Sequence, residues 1–248
     1  MCDQSKTFPH GRFFDRRGFF RFQMAAAAIG LLGGSFKGSL AYAAALTREQ
    51  RDQMTPEEIV ATMQRGNERF RKGERAMRNY LAEQQATAMG QYPAAIVLSC
   101  IDSRAPAEVI LDLGIGDIFN ARVAGNIVND DILGSMEFAC KVAGSKVVLV
   151  MGHTACGAIK GAIDNVELGN LTALLAKIRP AVQATHFGGE RSSKNPAYVD
   201  AVALKNVELT MVQIRGKSTV LRDLESRRAL KIVGAMYNLD TATVDFFA

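Results

Sequence analysis

The chain of 248 residues suffices for one large domain or two small ones, and its 48 % hydrophobic and 22 % charged residues are ordinary for a globular protein. The formal net charge of +5 lies mainly near the N-terminus: six of the 30 basic but only two of the 25 acidic residues fall within residues 1–43, leaving +1 for residues 44–248. No cluster of Lys and Arg interleaved with aromatic residues follows. The composition therefore gives no support for a nucleic-acid-binding protein.

The N-terminus has the features of an export signal. A basic segment containing Arg16 and Arg17 precedes the small, apolar residues 24–34, and Ala41-Tyr42-Ala43 resembles a cleavage site. The paired arginines followed by Phe19-Phe20 resemble the twin-arginine (Tat) motif, although Asp15 replaces the usual Ser or Thr. We predict that residues 1–43 are a Tat-type signal peptide, cut after Ala43, and that the mature protein is periplasmic or otherwise exported.

A retained membrane anchor is the alternative interpretation of this segment. Residues 24–34 are well short of the roughly 20 apolar residues that a bilayer-spanning helix requires. We therefore expect no stable membrane span once the signal has been removed.

The residues that follow predict a linker and then a helical arm. Residues 44–54 are polar and are predicted to be a linker. Thr55-Pro56-Glu57-Glu58 has the pattern of a helix start, and the apolar spacing that follows predicts an amphipathic helix ending near Gly73. A second helical segment is predicted over residues 79–89. We assign residues 55–248 to one domain that includes this arm.

Apolar runs of strand length then alternate with helical patterns. The predicted strands cover residues 94–99, 117–123 and 146–151, and the predicted helices cover residues 107–113, 132–142 and 156–163. Two further helices, over 171–184 and 199–214, precede a C-terminal strand at 231–239 and its return at 243–247. This alternation predicts a single α/β domain with a mainly parallel β-sheet flanked by helices.

The cysteines argue against a disulfide framework. Removal of the signal would leave Cys100, Cys140 and Cys156, an odd number in an oxidising compartment. Cys140 lies in an apolar helical stretch, where we expect it to act as a small buried hydrophobe.

Cys100 and the His153-x-x-Cys156 pair predict a zinc site. Cys100 directly follows the first core strand, and His153 follows the strongest one, so both lie where parallel strands present their carboxyl ends. Two thiolates and one imidazole form the ligand set of catalytic Zn²⁺ sites that leave a fourth position free. Asp102 could fill that position, or could stand off the metal and pair with the planar guanidinium of Arg104. The residues alone leave both arrangements open.

Four motifs together resemble those of the β-class carbonic anhydrases, in family order and over a region from about Thr55 to the C-terminus. They are Cys100-x-Asp102-Ser103-Arg104, Arg122-Val-Ala-Gly125-Asn126, Gly152-His153-x-x-Cys156-Gly157 and Val233-Gly234-Ala-Met-Tyr237. The resemblance implies the reversible hydration of carbon dioxide to bicarbonate and a proton by a zinc-bound hydroxide. Zinc would be held by Cys100, His153 and Cys156, Asp102 would orient the hydroxide, and Arg104 would hold Asp102. In some family members this Asp instead binds the metal and closes the site.

The resemblance also implies contacts to substrate and a quaternary structure. Gln91 matches a glutamine that hydrogen-bonds bicarbonate in open-site members, and Phe119 matches an apolar residue of the pocket. Phe138 occupies a position where tyrosine is common, and Gly157 closes the third motif; both are assigned to substrate binding. The family forms homodimers or higher homo-oligomers, and we expect the same here.

Two other functions use the same predicted zinc site. The site could act on a sulfur analogue of carbon dioxide, or it could be a non-catalytic centre of an interaction protein, with Asp102 permanently bound to the metal. A hydrolase with Cys100 as nucleophile would leave His153 and Cys156 without a shared role. A dinucleotide site is disfavoured because Phe119 stands where the third glycine after Gly114 and Gly116 should fall.

Overall fold

A computed structural model describes residues 45–247, and the predicted signal peptide lies outside these residues. The described helices are α1 Arg48–Gln53, α2 Pro56–Lys72, α3 Tyr80–Thr87, α4 Ala107–Ile110, α5 Asp130–Glu137, α6 Gly157–Ile163, α7 Gly169–Ala176, α8 Arg179–Ala184, α9 Pro196–Lys217 and α10 Thr219–Ser226. The strands are β1 Ala95–Ser99, β2 Ile118–Arg122, β3 Val147–His153, β4 Lys231–Tyr237 and β5 Val244–Phe247. None of these helices is both long and apolar enough to cross a membrane.

The five strands form one sheet in the order β2-β1-β3-β4-β5. The first four are parallel, and β5 pairs with β4 in the antiparallel direction. Strands β1 and β3 are buried along their whole length, which explains why they are continuous apolar runs in the sequence. The predicted α/β fold with a mainly parallel sheet is confirmed.

Helices cover both faces of this sheet. On one face, Val97 and Leu149 pack with Ile59 and Met63 of α2, because alternate side chains of a strand point to opposite faces. On the other face, Leu98 belongs to a separate apolar cluster that includes residues of α5, α9 and α10. The loops at the carboxyl ends of β1 and β3 are thereby fixed by a core on either side.

Helix α2 begins and ends where the sequence predicts. The Thr55 hydroxyl accepts a hydrogen bond from the Glu58 amide at 3.2 Å, and the Glu58 carboxylate accepts one from the Thr55 amide at 2.7 Å. These reciprocal bonds satisfy two donors that a helix start leaves free. At the other end, Gly73 adopts a left-handed conformation with φ of 71°, which terminates the helix.

The predicted linker at residues 44–54 is wrong for its described part, 45–54. This part contains helix α1, and the side chain of Arg51 is buried, with its guanidinium donating to the carbonyl of Ala143. Lys146 donates to the carbonyls of Asp52 and Met54 at 2.7 and 2.8 Å. The polar composition was misleading because long cationic side chains bind main-chain carbonyls here instead of facing solvent.

Two predicted helices differ in their course. The helix predicted over 132–142 starts earlier, after Asn129, whose side chain accepts from the Ile132 amide, and continues as a π-helical turn over Phe138–Val142. The helix predicted over 171–184 is divided into α7 and α8, with the break just before Pro180, which cannot continue a helix from the preceding turn. Helix α10 was not predicted.

Candidate metal centre

The structure brings the three predicted metal ligands together at the carboxyl edge of the sheet. Strands β1 and β3 are neighbours with Ser99 opposite Met151, so the loops that follow them lie side by side. The Sγ atoms of Cys100 and Cys156 are 4.0 Å apart, and these two atoms and an imidazole nitrogen of His153 lie within 4.8 Å of one another. All three side chains are buried.

The imidazole of His153 is oriented for metal binding. Its Nδ1 lies 2.8 Å from the main-chain carbonyl of Thr154, which can only accept, so Nδ1 carries the proton. Nε2 then presents a lone pair, and this buried atom has no hydrogen-bond partner among residues 45–247. An imidazole held by a carbonyl on one nitrogen and free on the other is the usual arrangement of a histidine ligand.

The sulfur geometry fits zinc. Two thiolates bound at about 2.3 Å to a tetrahedral zinc ion lie about 3.8 Å from each other, close to the 4.0 Å found here. A disulfide would require about 2.05 Å, and all three described cysteines are free. The donor set and its spacing therefore match the predicted zinc ligands Cys100, His153 and Cys156.

The two thiols differ electrostatically. The contact with Cys156 lowers the pKa of Cys100, and the same contact, together with burial, raises the pKa of Cys156. The amide of Gly125 also donates to Cys100 Sγ at 3.3 Å, which favours a thiolate there. A thiolate in a buried site requires a cation beside it, and a bound metal would supply one.

Gly125 holds this amide in place through a conformation that favours glycine. Its φ is 68°, and a Cβ added there would lie 2.5 Å from Cδ1 of Ile178. Its carbonyl accepts a hydrogen bond of 2.8 Å from the side chain of Asn206 in α9. The Arg122-Val-Ala-Gly125-Asn126 motif thus places a fixed hydrogen-bond donor, the Gly125 amide, beside the sulfur of Cys100.

The Asp102 carboxylate lies beside the cluster and is held by Arg104. Oδ1 accepts from the Arg104 amide at 2.9 Å and from Nε at 3.0 Å, while Oδ2 accepts from Nη2 at 2.8 Å. These hydrogen bonds keep the pKa of Asp102 well below its usual range. Oδ2 is also 3.8 Å from Nε2 of His153. The carboxylate is therefore ionised, fixed at two points and close to the ligands.

Arg122 is a contributor that sequence reasoning did not assign. At the carboxyl end of β2, its Nε donates to the carbonyl of Cys100 at 2.9 Å and its Nη2 to the carbonyl of Asp102 at 2.6 Å. One planar guanidinium thus fixes the loop carrying both a ligand and the carboxylate. Its place in a quoted motif was the only signal that could have identified it.

Asp200 makes a comparable contact on the second loop. Its Oδ1 accepts from the amide of Ala155 at 2.9 Å. Ala155 has a φ of 54°, a left-handed conformation that is uncommon for a residue with a Cβ. Asp200 thereby holds the turn that separates His153 from Cys156.

The four predicted substrate-binding residues are not all brought together. Gly157 is the exposed first residue of α6, directly after Cys156. Gln91 is exposed and precedes β1, so the length of that strand, about 17 Å, separates it from the cluster. Gln91 therefore does not lie at the cluster of its own chain, and its predicted contact with substrate stays a prediction.

Phe119 and Phe138 also lie away from the ligands. Phe119 pairs in register with Ile96, three residues below the carboxyl end of β1, and its ring meets that of Phe138 edge to face at 6.2 Å. Phe138 is half exposed. Phe119 lies near the amino end of β2, whereas the cluster lies at the carboxyl edge of the sheet, so the predicted pocket contacts of Phe119 and Phe138 stay predictions.

Cys140 behaves as expected for a buried hydrophobe. It lies in the apolar cluster between the sheet and α5, and burial raises the pKa of its thiol to about 12. It is therefore a neutral thiol at physiological pH and a suitable control for the two cluster cysteines.

Comparison with known proteins identifies one family. Residues 95–244 match the family model described as carbonic anhydrase. The chain is 32 % identical to carbonic anhydrase 2 of Mycobacterium tuberculosis over 184 residues, covering 72 % of this chain and 86 % of that protein. It is 30 % identical to a carbonic anhydrase of Pseudomonas aeruginosa, over 71 % of this chain and 82 % of the relative.

Solved structures agree in fold. The chain resembles a β-carbonic anhydrase of Aspergillus fumigatus with a TM-score of 0.58 and 27 % identity, over 66 % of this chain and 79 % of that one. It also resembles a structure from a study of two tetrameric β-carbonic anhydrases of Sordaria macrospora, with a TM-score of 0.59 and 24 % identity, over 66 % and 85 % of the two chains.

Metal content tests the cluster directly. We expect about one zinc per chain in the purified protein, and a loss of most of it in Cys156→Ser, because two protein ligands hold zinc far less tightly than three. Cys140→Ala is the matched control and should keep its zinc. Elemental analysis by mass spectrometry measures both. Zinc retained in Cys156→Ser, or lost in Cys140→Ala, would contradict the assignment of ligands.

Proposed function

This chain belongs to the β-class carbonic anhydrase family, and we propose that it catalyses the reversible hydration of carbon dioxide at a zinc ion held by Cys100, His153 and Cys156. The observation that carries the proposal is the buried cluster in which two sulfur atoms and the free Nε2 of His153 converge. Zinc bound there would act as a Lewis acid and lower the pKa of water to about 7.

Asp102 supplies the orientation that the reaction requires. Its Oδ2 faces the cluster and can accept a hydrogen bond from the attacking water, so that an oxygen lone pair points at the carbon of carbon dioxide. Arg104 keeps the carboxylate ionised and stationary through three hydrogen bonds. A fixed acceptor lowers the entropic cost of aligning the two reactants.

The same contacts support an open site over a structural zinc site. A structural zinc ion usually has four protein ligands, and Asp102 is the residue of this loop that could complete such a set. Its two carboxylate oxygens are both engaged by Arg104. Held in this way, the carboxylate would stand off a bound zinc ion, whose fourth position would be left for water and substrate, as hydration of carbon dioxide requires.

Replacement of Asp102 by Asn separates its role from metal binding. Asp102→Asn should retain about one zinc per chain but lose roughly 100-fold or more in kcat/KM, because an amide cannot accept at both positions that the carboxylate offers. Oxygen-18 exchange between carbon dioxide and water measures the activity. Asp131→Asn, an exposed carboxylate at the start of α5, is the control. Unchanged exchange in Asp102→Asn would remove the carboxylate from the mechanism.

We further propose that the protein is a homodimer or a larger homo-oligomer. Strand β2 is at the edge of the sheet, and two large apolar side chains near its amino-terminal end are exposed in the single chain: Ile115, which precedes the strand, and Phe138, whose ring meets that of Phe119. Unpaired edge strands and exposed apolar residues favour association. Gln91, Phe119 and Phe138 could serve as substrate contacts only if they face the cluster of another subunit.

Mixed oligomers test this arrangement. Gln91→Ala and Cys156→Ser chains should each be impaired alone, the first by loss of a substrate contact and the second by loss of zinc. When they are co-expressed with separate tags and the mixed oligomers are purified, a zinc-loaded site can meet a native Gln91 from its neighbour. Activity above the mean of the two parents supports the arrangement. Activity equal to that mean, or a monomeric mass by light scattering, would contradict it.

For localisation, we propose Tat-dependent export with cleavage after Ala43. The support is the Arg16-Arg17 pair, the apolar stretch over residues 24–34 and the Ala41-Tyr42-Ala43 sequence. A route that carries folded proteins would allow zinc to be loaded before export, so that the thiols of Cys100 and Cys156 enter an oxidising compartment already bound.

Cell fractionation with two matched double variants tests the signal. Arg16→Lys with Arg17→Lys should leave the precursor in the cytoplasm, since lysine does not reproduce the planar guanidinium. Arg12→Lys with Arg21→Lys conserves the same charge outside the pair and should be exported normally. The exported chain should begin at Ala44 by intact mass. Normal export of the first double variant would contradict the proposal.

A further inference from the structure

Helix α9 packs against the end of β3 that carries His153. The closest approach is at Gly152, the residue before this ligand, where an added Cβ would lie 2.7 Å from a methyl carbon of Val207 in α9. Any side chain at that position would have to displace the helix or its valine, so glycine permits the close contact. The strand and α9 therefore meet directly beside the metal cluster.

Two polar side chains of α9 reach the two loops that carry the ligands. Asp200 accepts from the amide of Ala155 at 2.9 Å, in the loop that follows β3. Asn206, six residues further along the helix, donates from Nδ2 to the carbonyl of Gly125 at 2.8 Å. Asn206 is buried, so solvent has little access to this second hydrogen bond.

Two hydrogen bonds meet at Gly125. Its amide donates to Sγ of Cys100 at 3.3 Å, while its carbonyl accepts from Asn206. Glycine populates positive and negative φ about equally, so its own torsions do not keep the amide directed at the sulfur. A hydrogen bond at the carbonyl restricts that rotation. The side chain of Asn206 therefore controls the direction of a donor that it does not itself contain.

We propose that Asn206 is a positioning residue of the metal site, which holds the Gly125 amide toward Sγ of Cys100 and so slows the release of a bound metal ion. The inference rests on the zinc site of the proposed function, but it concerns the retention of metal and the electronic state of one sulfur atom. A hydrogen bond to a thiolate lowers the energy of the sulfur lone pairs. Groups that orient the ligands of a metal in this way typically contribute roughly 10- to 100-fold to its affinity.

Cobalt(II) in place of zinc makes the state of the sulfur visible. The transition that moves an electron from a thiolate to cobalt absorbs in the near ultraviolet, and a hydrogen bond to the sulfur raises its energy. Asn206→Ala and Asn206→Leu both remove the amide donor, the second while keeping a side chain in its place. Both should therefore move this band to longer wavelength. A residue that only stabilises the fold would leave the band where it is.

The rate of zinc release provides a second measurement on the same variants. With zinc bound and a chelator in excess, both Asn206 variants should release the metal about tenfold faster than the unsubstituted protein. Thr210→Val is the matched control, because Thr210 is equally buried at 3 % and lies one turn further along α9. It should change neither the absorption band nor the release rate.

The unsubstituted protein offers a test that does not depend on the folding of a variant. With ¹¹³Cd at the site, a hydrogen bond from an amide to a coordinating sulfur transmits a scalar coupling between the metal and the amide proton, and the Gly125 amide should show it. Absence of this coupling would overturn the proposal, as would an unshifted band in both Asn206 variants or an equal shift in Thr210→Val. A wild-type chain that takes up no cobalt would instead refute the zinc site itself, and the inference with it.

Discussion

The parallel pairing of β1 with β3 is the interaction on which the metal cluster depends. The register places Ser99 opposite Met151, so that Cys100 and the end of β3 emerge at the same height. In a parallel ladder, a slip of one residue moves a chain by about 3.3 Å and turns every side chain to the other face. A slip of that kind would separate the two sulfur atoms and remove the imidazole from them. The buried apolar runs of both strands, packed by helices on either face, are therefore as necessary to the site as its ligands.

Around these paired strands, three arginines each bind a different kind of oxygen acceptor. Arg104 binds a carboxylate side chain, Arg122 binds two main-chain carbonyls, and Arg51 binds the carbonyl that ends a helical segment. Each uses the fixed geometry of the guanidinium group to hold backbone or side-chain oxygens at set distances. Hydrogen bonds from guanidinium groups therefore hold the site on its exposed side, and close packing of apolar side chains holds it on its buried side.

Much of this arrangement follows from local sequence. The strand predicted over 146–151 is apolar throughout because β3 is buried on both faces, and Thr55 and Glu58 define the start of α2 by contacts within four residues. Cys100 and His153 could be placed at one edge because each directly follows such a strand. These features depend on neighbours in the chain or on a general rule of parallel sheets.

The features that were missed depend on residues distant in sequence. Arg51 reaches a carbonyl 92 positions away, and Asn206 reaches the carbonyl of Gly125 across 81 positions. Nothing in the local composition of residues 45–54 reveals the first contact, and an exposed arginine at the end of β2 looks the same whether or not it binds the Cys100 loop. Within one chain, the length of β1 separates Gln91 from Cys100, so the substrate contact that the resemblance implies for Gln91 stays a prediction.

The position of Arg122 has a mechanical consequence. It stands at the end of β2, one of the two edge strands of the described sheet, and its guanidinium holds the loop that bears Cys100 and Asp102. One side chain therefore links an edge strand of the sheet to the loop that bears Cys100 and Asp102. Because the guanidinium donates to both carbonyls, a displacement of β2 would also move the loop that carries the metal cluster's Cys100.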